Sequence, residues 1–124
     1  MLSYKKTTRN ILGYLIVTLN ITGASHLTPT GEVTLGKKVY HDHCEVCHGI
    51  HGNGKTFAAN ALFPPPKNFT TTASKNKMSR ERMIRSVSRG RPRTAMMPWE
   101  NVLSKQEIYS VVDYIRQVLM KLQK

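Results

Sequence analysis

Acidic residues are scarce in this chain: seven Asp and Glu stand against nineteen Lys and Arg, for a formal net charge of +12. Such an excess leaves three classes of partner open, namely nucleic acid, an anionic membrane surface or an acidic protein, and composition does not choose among them. Cysteine is scarcer still. Two residues close at most one disulfide, which excludes a disulfide-dense scaffold. No stretch alternates apolar and polar residues as a half-buried strand would, and no segment repeats, so an all-α architecture is expected. At 124 residues the chain holds one domain at most. Its 40% of hydrophobic residues suffices for a small core and excludes disorder throughout.

No apolar run reaches the roughly 20 residues that span a bilayer. The nearest, Ile11 to Ala24, is interrupted by Thr18, Asn20 and Thr22 and preceded by Lys5, Lys6 and Arg9. A basic start, a short apolar centre and the small residues Thr22-Gly23-Ala24 form the pattern of a secretory signal. Residues 1–24 are therefore expected to direct export and to be cleaved near Ala24, with an uncleaved membrane anchor as the alternative. They hold three basic residues and no acid, so their loss takes the charge from +12 to +9. Residues 25–32, polar and containing Pro29 and Gly31, are expected to be an exposed leader. The domain then covers 33–124.

Within it, Val33–Tyr40 suits a helix of two or three turns, and Ser79–Arg89 a helix with Met83, Ile84 and Val87 on one face. Ser104-Lys105-Gln106-Glu107 is a capping box, followed by Ile108, Val111, Val112, Ile115, Val118, Leu119 and Leu122 at helical spacing. Between these elements lie Gly49, Gly52 and Gly54, the rigid Leu62-Phe63-Pro64-Pro65-Pro66, and the loop Gly90–Trp99. Loops this long in so small a domain are uncommon unless functional. The chain is expected to wrap around something.

Cys44-Glu45-Val46-Cys47-His48 has the spacing of covalent c-type haem attachment. Two thiols three positions apart lie on one side of a helical turn, where each can add to a porphyrin vinyl group, and the adjacent histidine faces the iron as proximal ligand. Three rivals remain at this point. A Cys-x-x-Cys redox pair would call for a βαβ setting, of which there is no sign. Zinc could use Cys44, Cys47 and two of His41, His43, His48 and His51, although no second ligand cluster follows. A core pair or strained disulfide is the third. Thr94-Ala95-Met96-Met97-Pro98-Trp99 offers a thioether for the far face of the iron. Two adjacent methionines in a polar, proline-flanked loop make poor core, although gap-filling is the commoner use of methionine.

With these segments in view, the chain from about Leu35 to Leu119 resembles the class I, single-haem bacterial cytochromes c. Gly36, Tyr40 and Cys44–Gly49 match the first helix and attachment motif of that family. Gly52, Gly54 and Leu62–Phe69 match its glycine loop and apolar-proline segment, and Gly90–Trp99 its methionine loop. The resemblance implies a small all-α fold of three or more helices around one covalent haem c on Cys44 and Cys47, with His48 proximal and Met96 distal. Met97 becomes the ligand if the register slips by one. Arg93 stands where the family has glycine. The resemblance further implies that a carbonyl within Pro64–Pro66 accepts the His48 Nδ1 proton and that Tyr114 packs against Gly36. It makes Tyr40, Pro65, Phe69 and Trp99 haem-pocket residues, with Phe57 among further candidates.

Nine basic residues and one acid, Glu81, lie between Lys67 and Arg93. A solvated face is the plain reading. Nucleic acid fits poorly, since only Phe69 interleaves the run and no stacking platform results. Lys67, Arg82, Arg85, Arg89, Arg91 and Arg93 are instead expected to dock an acidic redox protein or a membrane oxidoreductase. The resulting expectation is a monomeric periplasmic carrier of single electrons, not an enzyme. The alternative is a haem subunit, or a gas-binding or enzymatic haem protein with a labile methionine.

Overall fold

The computed structural model describes residues 29–122, all of them helix, turn or loop, with no strand among them. The segment 1–24 expected to be a signal lies outside the described residues. Among the described residues no helix is long and apolar enough to cross a membrane.

Helix α1 runs over Pro29–His43. It absorbs the second half of the expected leader, because a proline in the first turn lacks only a donor that the helix would leave unused. A short helix α2, Glu45–His48, follows after a one-residue break. A 3₁₀ turn at Ala58–Ala61 packs against α2. Helix α3, Thr72–Lys77, is a further short element with no apolar stripe; the Thr71 side chain accepts a hydrogen bond from the Ser74 N–H at its start. Helix α4, Arg80–Arg89, is capped by Ser79 and buries Met83 and Val87 while Arg82, Arg85 and Arg89 face out. Helix α5, Lys105–Tyr114, begins with the expected capping box and continues into a π turn at Ile115–Leu119.

The core forms where α5 meets α1 and α4. Val111 and Val112 are fully buried, and Val39, Tyr40, Phe69, Met83, Val87 and Ile108 close around them. Gly36 permits the α1–α5 crossing. A Cβ built there would lie 2.0 Å from the Ser110 carbonyl oxygen and 2.8 Å from Tyr114 Cβ, so only glycine fits. The tyrosine packs where the resemblance implied. Arg80 ties α4 to α5, its Nε and Nη2 donating to the two oxygens of Asp113 at 2.7 and 2.8 Å.

Candidate functional site

The break between α1 and α2 falls at Cys44, and its cause is local. Gly49, at φ +79°, ends α2 after a single turn, and its N–H returns to the Glu45 carbonyl. The buried Tyr40 hydroxyl donates to the Gly49 carbonyl at 2.7 Å, fastening the turn to α1. The chain then folds back tightly. Gly54 N–H donates to the His48 carbonyl, and Phe69 N–H to the Gly52 carbonyl, at 2.8 and 2.7 Å. At Gly54 a side chain would strike the Pro66 carbonyl. These bonds bring residues 66–69 alongside His48.

Phe69 is buried and stacks on the His48 ring, centroids 4.8 Å apart. His48 Nδ1 lies 3.3 Å from the carbonyl oxygen of Lys67. That corrects the expected acceptor: the carbonyl belongs to Lys67, not to Pro64–Pro66. The Pro66 carbonyl is instead turned toward Gly54, and Pro65 is exposed. Burial pushes the His48 imidazole below its ordinary pKa, with the Lys67 carbonyl opposing. A neutral ring donating from Nδ1 keeps the Nε2 lone pair for a metal.

Cys44 and Cys47 are both free and partly buried. Burial, reinforced by Cys47, pushes the Cys44 thiol up to about 12. A reactive redox cysteine needs the opposite shift, toward thiolate, so this setting disfavours the oxidoreductase reading of the pair. Among the described residues no group of three His, Cys, Asp or Glu could hold a metal ion, which removes support from the zinc reading.

The loop after α4 carries the two methionines and is shaped by four residues, Gly90, Arg91, Thr94 and Trp99. Gly90, at φ +67°, lies under the returning chain. A Cβ there would come within 2.6 Å of the Met96 oxygen and 2.8 Å of the Met97 carbon and Pro98 nitrogen. Arg91 N–H donates to the Met96 carbonyl at 2.9 Å, and Thr94 Oγ1 accepts from the Met96 N–H at 3.1 Å. Trp99 N–H returns to the Val87 and Ser88 carbonyls. Between these ties Met96 packs partly buried against the core cluster, as Cys44 does, whereas Met97 is 55% exposed.

Tyr40 is buried and its ring lies 5.5 Å from that of Tyr114. Trp99 is half-buried with its ring 5.1 Å from His43. Phe57 is 95% exposed, because Ala59 takes the inner face of the 3₁₀ turn that Phe57 opens. Lys67, Arg82, Arg85, Arg89, Arg91 and Arg93 are all exposed. Among the described residues, only the Arg91 guanidinium of this group bonds another side chain, Ser86 Oγ at 3.4 Å. Sequence reasoning missed Lys67 as acceptor and Gly90 as the support of the methionine loop.

Residues 33–119 match the family model described as Cytochrome c. The c-type cytochrome KustC0563 is 30% identical at a TM-score of 0.54, over 72% of this chain and 98% of that one. The reducing HAO-like protein complex Kustc0457/Kustc0458 of Kuenenia stuttgartiensis contains a chain 27% identical at 0.57, over 74% of this chain but 42% of its own length. Cytochrome cL of Methylophaga aminisulfidivorans shares the fold at 22% identity and a TM-score of 0.57, over 73% of this chain and 55% of that one. No curated protein matches the sequence. A cytochrome c domain implies covalently bound haem c. The donor set fits that group: two free thiols on one turn, a neutral imidazole with one nitrogen already engaged, and a thioether packed on the same core.

Proposed function

Because the chain belongs to the cytochrome c family, we propose that it is an exported carrier of single electrons whose iron is held between His48 and Met96. Haem c, when bound, supplies the one-electron ferric–ferrous couple. The chain's own residues would attach it and orient its ligands. Cys44 and Cys47 hold the porphyrin. The Lys67 carbonyl and the Phe69 ring fix the plane and tautomer of His48.

The observation that carries this reading is the unequal treatment of neighbouring methionines: Met96 is packed against the core that also receives Cys44, while Met97 is turned to solvent. Were His48 and Met96 both to hold the iron, no coordination position would be left for a substrate, which favours a carrier over an enzyme. Separate replacement of Met96 and Met97 by Ala tests it. M96A should lose the methionine-to-ferric charge-transfer band and bind carbon monoxide readily; M97A should keep the band. Carbon monoxide binding by the unaltered protein at neutral pH would favour the gas-binding alternative.

Export rests on the signal-like residues 1–24, and sequencing the mature N-terminus of the haem-stained band checks it. The exposed basic residues, with Glu81 the one acid among them in sequence, support docking to an acidic redox protein. A second reading, a haem subunit of a larger oxidoreductase, draws on the relative found in the reducing HAO-like complex. Co-purification from the native source separates it from a free carrier.

A further inference from the structure

Arg93 combines two features that folding alone does not account for. Its backbone lies at φ +62°, in the left-handed region. The Thr94 N–H donates to the Arg91 carbonyl at 3.2 Å, closing a turn with Pro92 second and Arg93 third. A proline second and a positive φ third define a type II turn, whose third position favours glycine or asparagine because any other side chain crowds the backbone. Arginine therefore makes the methionine loop less stable than glycine would.

The side chain offers no compensation within the molecule. Arg93 is exposed and takes part in no ion pair or side-chain hydrogen bond among the described residues. By contrast Arg80, at the start of the preceding helix α4, is committed to Asp113 at 2.7 Å. Glu81, the one acid in the sequence between Lys67 and Arg93, has its carboxyl held below its ordinary value by its own backbone N–H and the Ser79 hydroxyl. Strain retained with no internal contact to show for it points outward.

We propose that Arg93 is the anchor of the docking face: its guanidinium, held at the tip of the Met96 loop by a strained turn, receives a carboxylate pair of an acidic partner protein. The inference rests on the carrier reading and names how that carrier is recognised. Arg82, Arg85 and Arg89 on α4, with Arg91 beside it, supply the surrounding positive field. A guanidinium, unlike an ammonium, presents a planar fork that matches a carboxylate with two parallel hydrogen bonds. Because Arg93 is three residues from Met96, a carboxylate bound there brings the partner to the methionine side of the iron.

The test uses the full holoprotein on gold electrodes coated with a carboxylate-terminated monolayer, with a hydroxyl-terminated monolayer as reference. R93G should adsorb about tenfold more weakly at low ionic strength, the loss of one charge-assisted hydrogen-bonded pair. The same variant should melt a few degrees higher, because the turn is relieved. R93N should behave like R93G, and R93K should keep part of the adsorption and none of the stability gain. K37A, which removes one charge from the exposed side of α1, controls for net charge and should adsorb nearly as the unaltered protein does. Equal losses for R93G and K37A would overturn the proposal in favour of a diffuse field. Binding by R93G lost only on phosphatidylglycerol vesicles, and kept on carboxylate, would overturn it in favour of lipid. The charge-transfer band is recorded on every variant. Its presence in R93G shows that the ligand reading stands whatever the docking result, and its absence in the unaltered protein would sink the ligand reading instead.

Discussion

Replacing Gly90 by alanine should separate the methionine from the iron before it unfolds the domain. Two costs meet at this position. Its backbone, at φ +67° and ψ −169°, lies in a region that is essentially reserved for glycine, and a side chain there costs about 1–3 kcal/mol. The added Cβ would also lie 2.6 Å from the Met96 oxygen and 2.8 Å from two further atoms of the Met97–Pro98 backbone. Backbone atoms cannot rotate aside as the end of a flexible side chain can, so overpacking adds roughly 1–3 kcal/mol. The sum, about 4 kcal/mol, is a large part of the 5–15 kcal/mol that holds a typical domain together. The cheaper relaxation is for residues 96–98 to lift away from α4, breaking the bond from Arg91 N–H to the Met96 carbonyl. The assay is a urea titration of the oxidised protein followed at the charge-transfer band and by far-ultraviolet circular dichroism. G90A should lack the band in the absence of urea while the helices remain, with the helical midpoint lower by about 1–2 M. A variant that kept both the band and the native midpoint would refute the argument that Gly90 supports the ligand loop.

Two further predictions concern α5. Its capping box engages Glu107 with the Ser104 N–H and hydroxyl, which hold the carboxyl below its ordinary value. A depressed folded pKa gives stability that is present above the unfolded value, about 4.3, and lost as pH falls through the folded one. The stability difference between the unaltered protein and E107Q should accordingly be seen at pH 7 and disappear in strong acid; a difference independent of pH would contradict the cap. R80A should cost about 1–3 kcal/mol in denaturant, because it strands an Asp113 side chain that is only 18% exposed. R80A/D113A should recover part of that loss, and a double variant no better than R80A would mean that the pair is not coupled.

What could be read from the sequence was whatever side chains encode directly. The attachment motif, the capping box at Ser104 and Glu107, and the apolar face of α4 all rest on residue types at fixed spacing. Helix α3 did not, because Thr72–Lys77 carries no apolar stripe; Thr71 and Ser74 hold it through bonds to backbone, the Ser74 hydroxyl reaching the Asn68 carbonyl. The acceptor for His48 escaped for a related reason. Carbonyl groups look alike in every residue, and the one presented depends on how the Gly52–Gly54 turn meets residues 66–69. Position 93 could be recognised as the place of a family glycine. That the loop would keep the glycine conformation with arginine in it could not.

The crossing at Gly36 also sets an order of events. Helix α1 finds its main partner in α5, the last helix of the domain to be synthesised. A chain that emerges N-terminus first, as an exported one would on the far side of the membrane, presents Cys44, Cys47 and His48 before α5 can close the core behind them. The two thiols, which the finished domain partly buries, are at their most reachable before Ser110 closes over Gly36. Assembly thus leaves an interval for attaching the haem, and the close of that interval is written into the final third of the sequence.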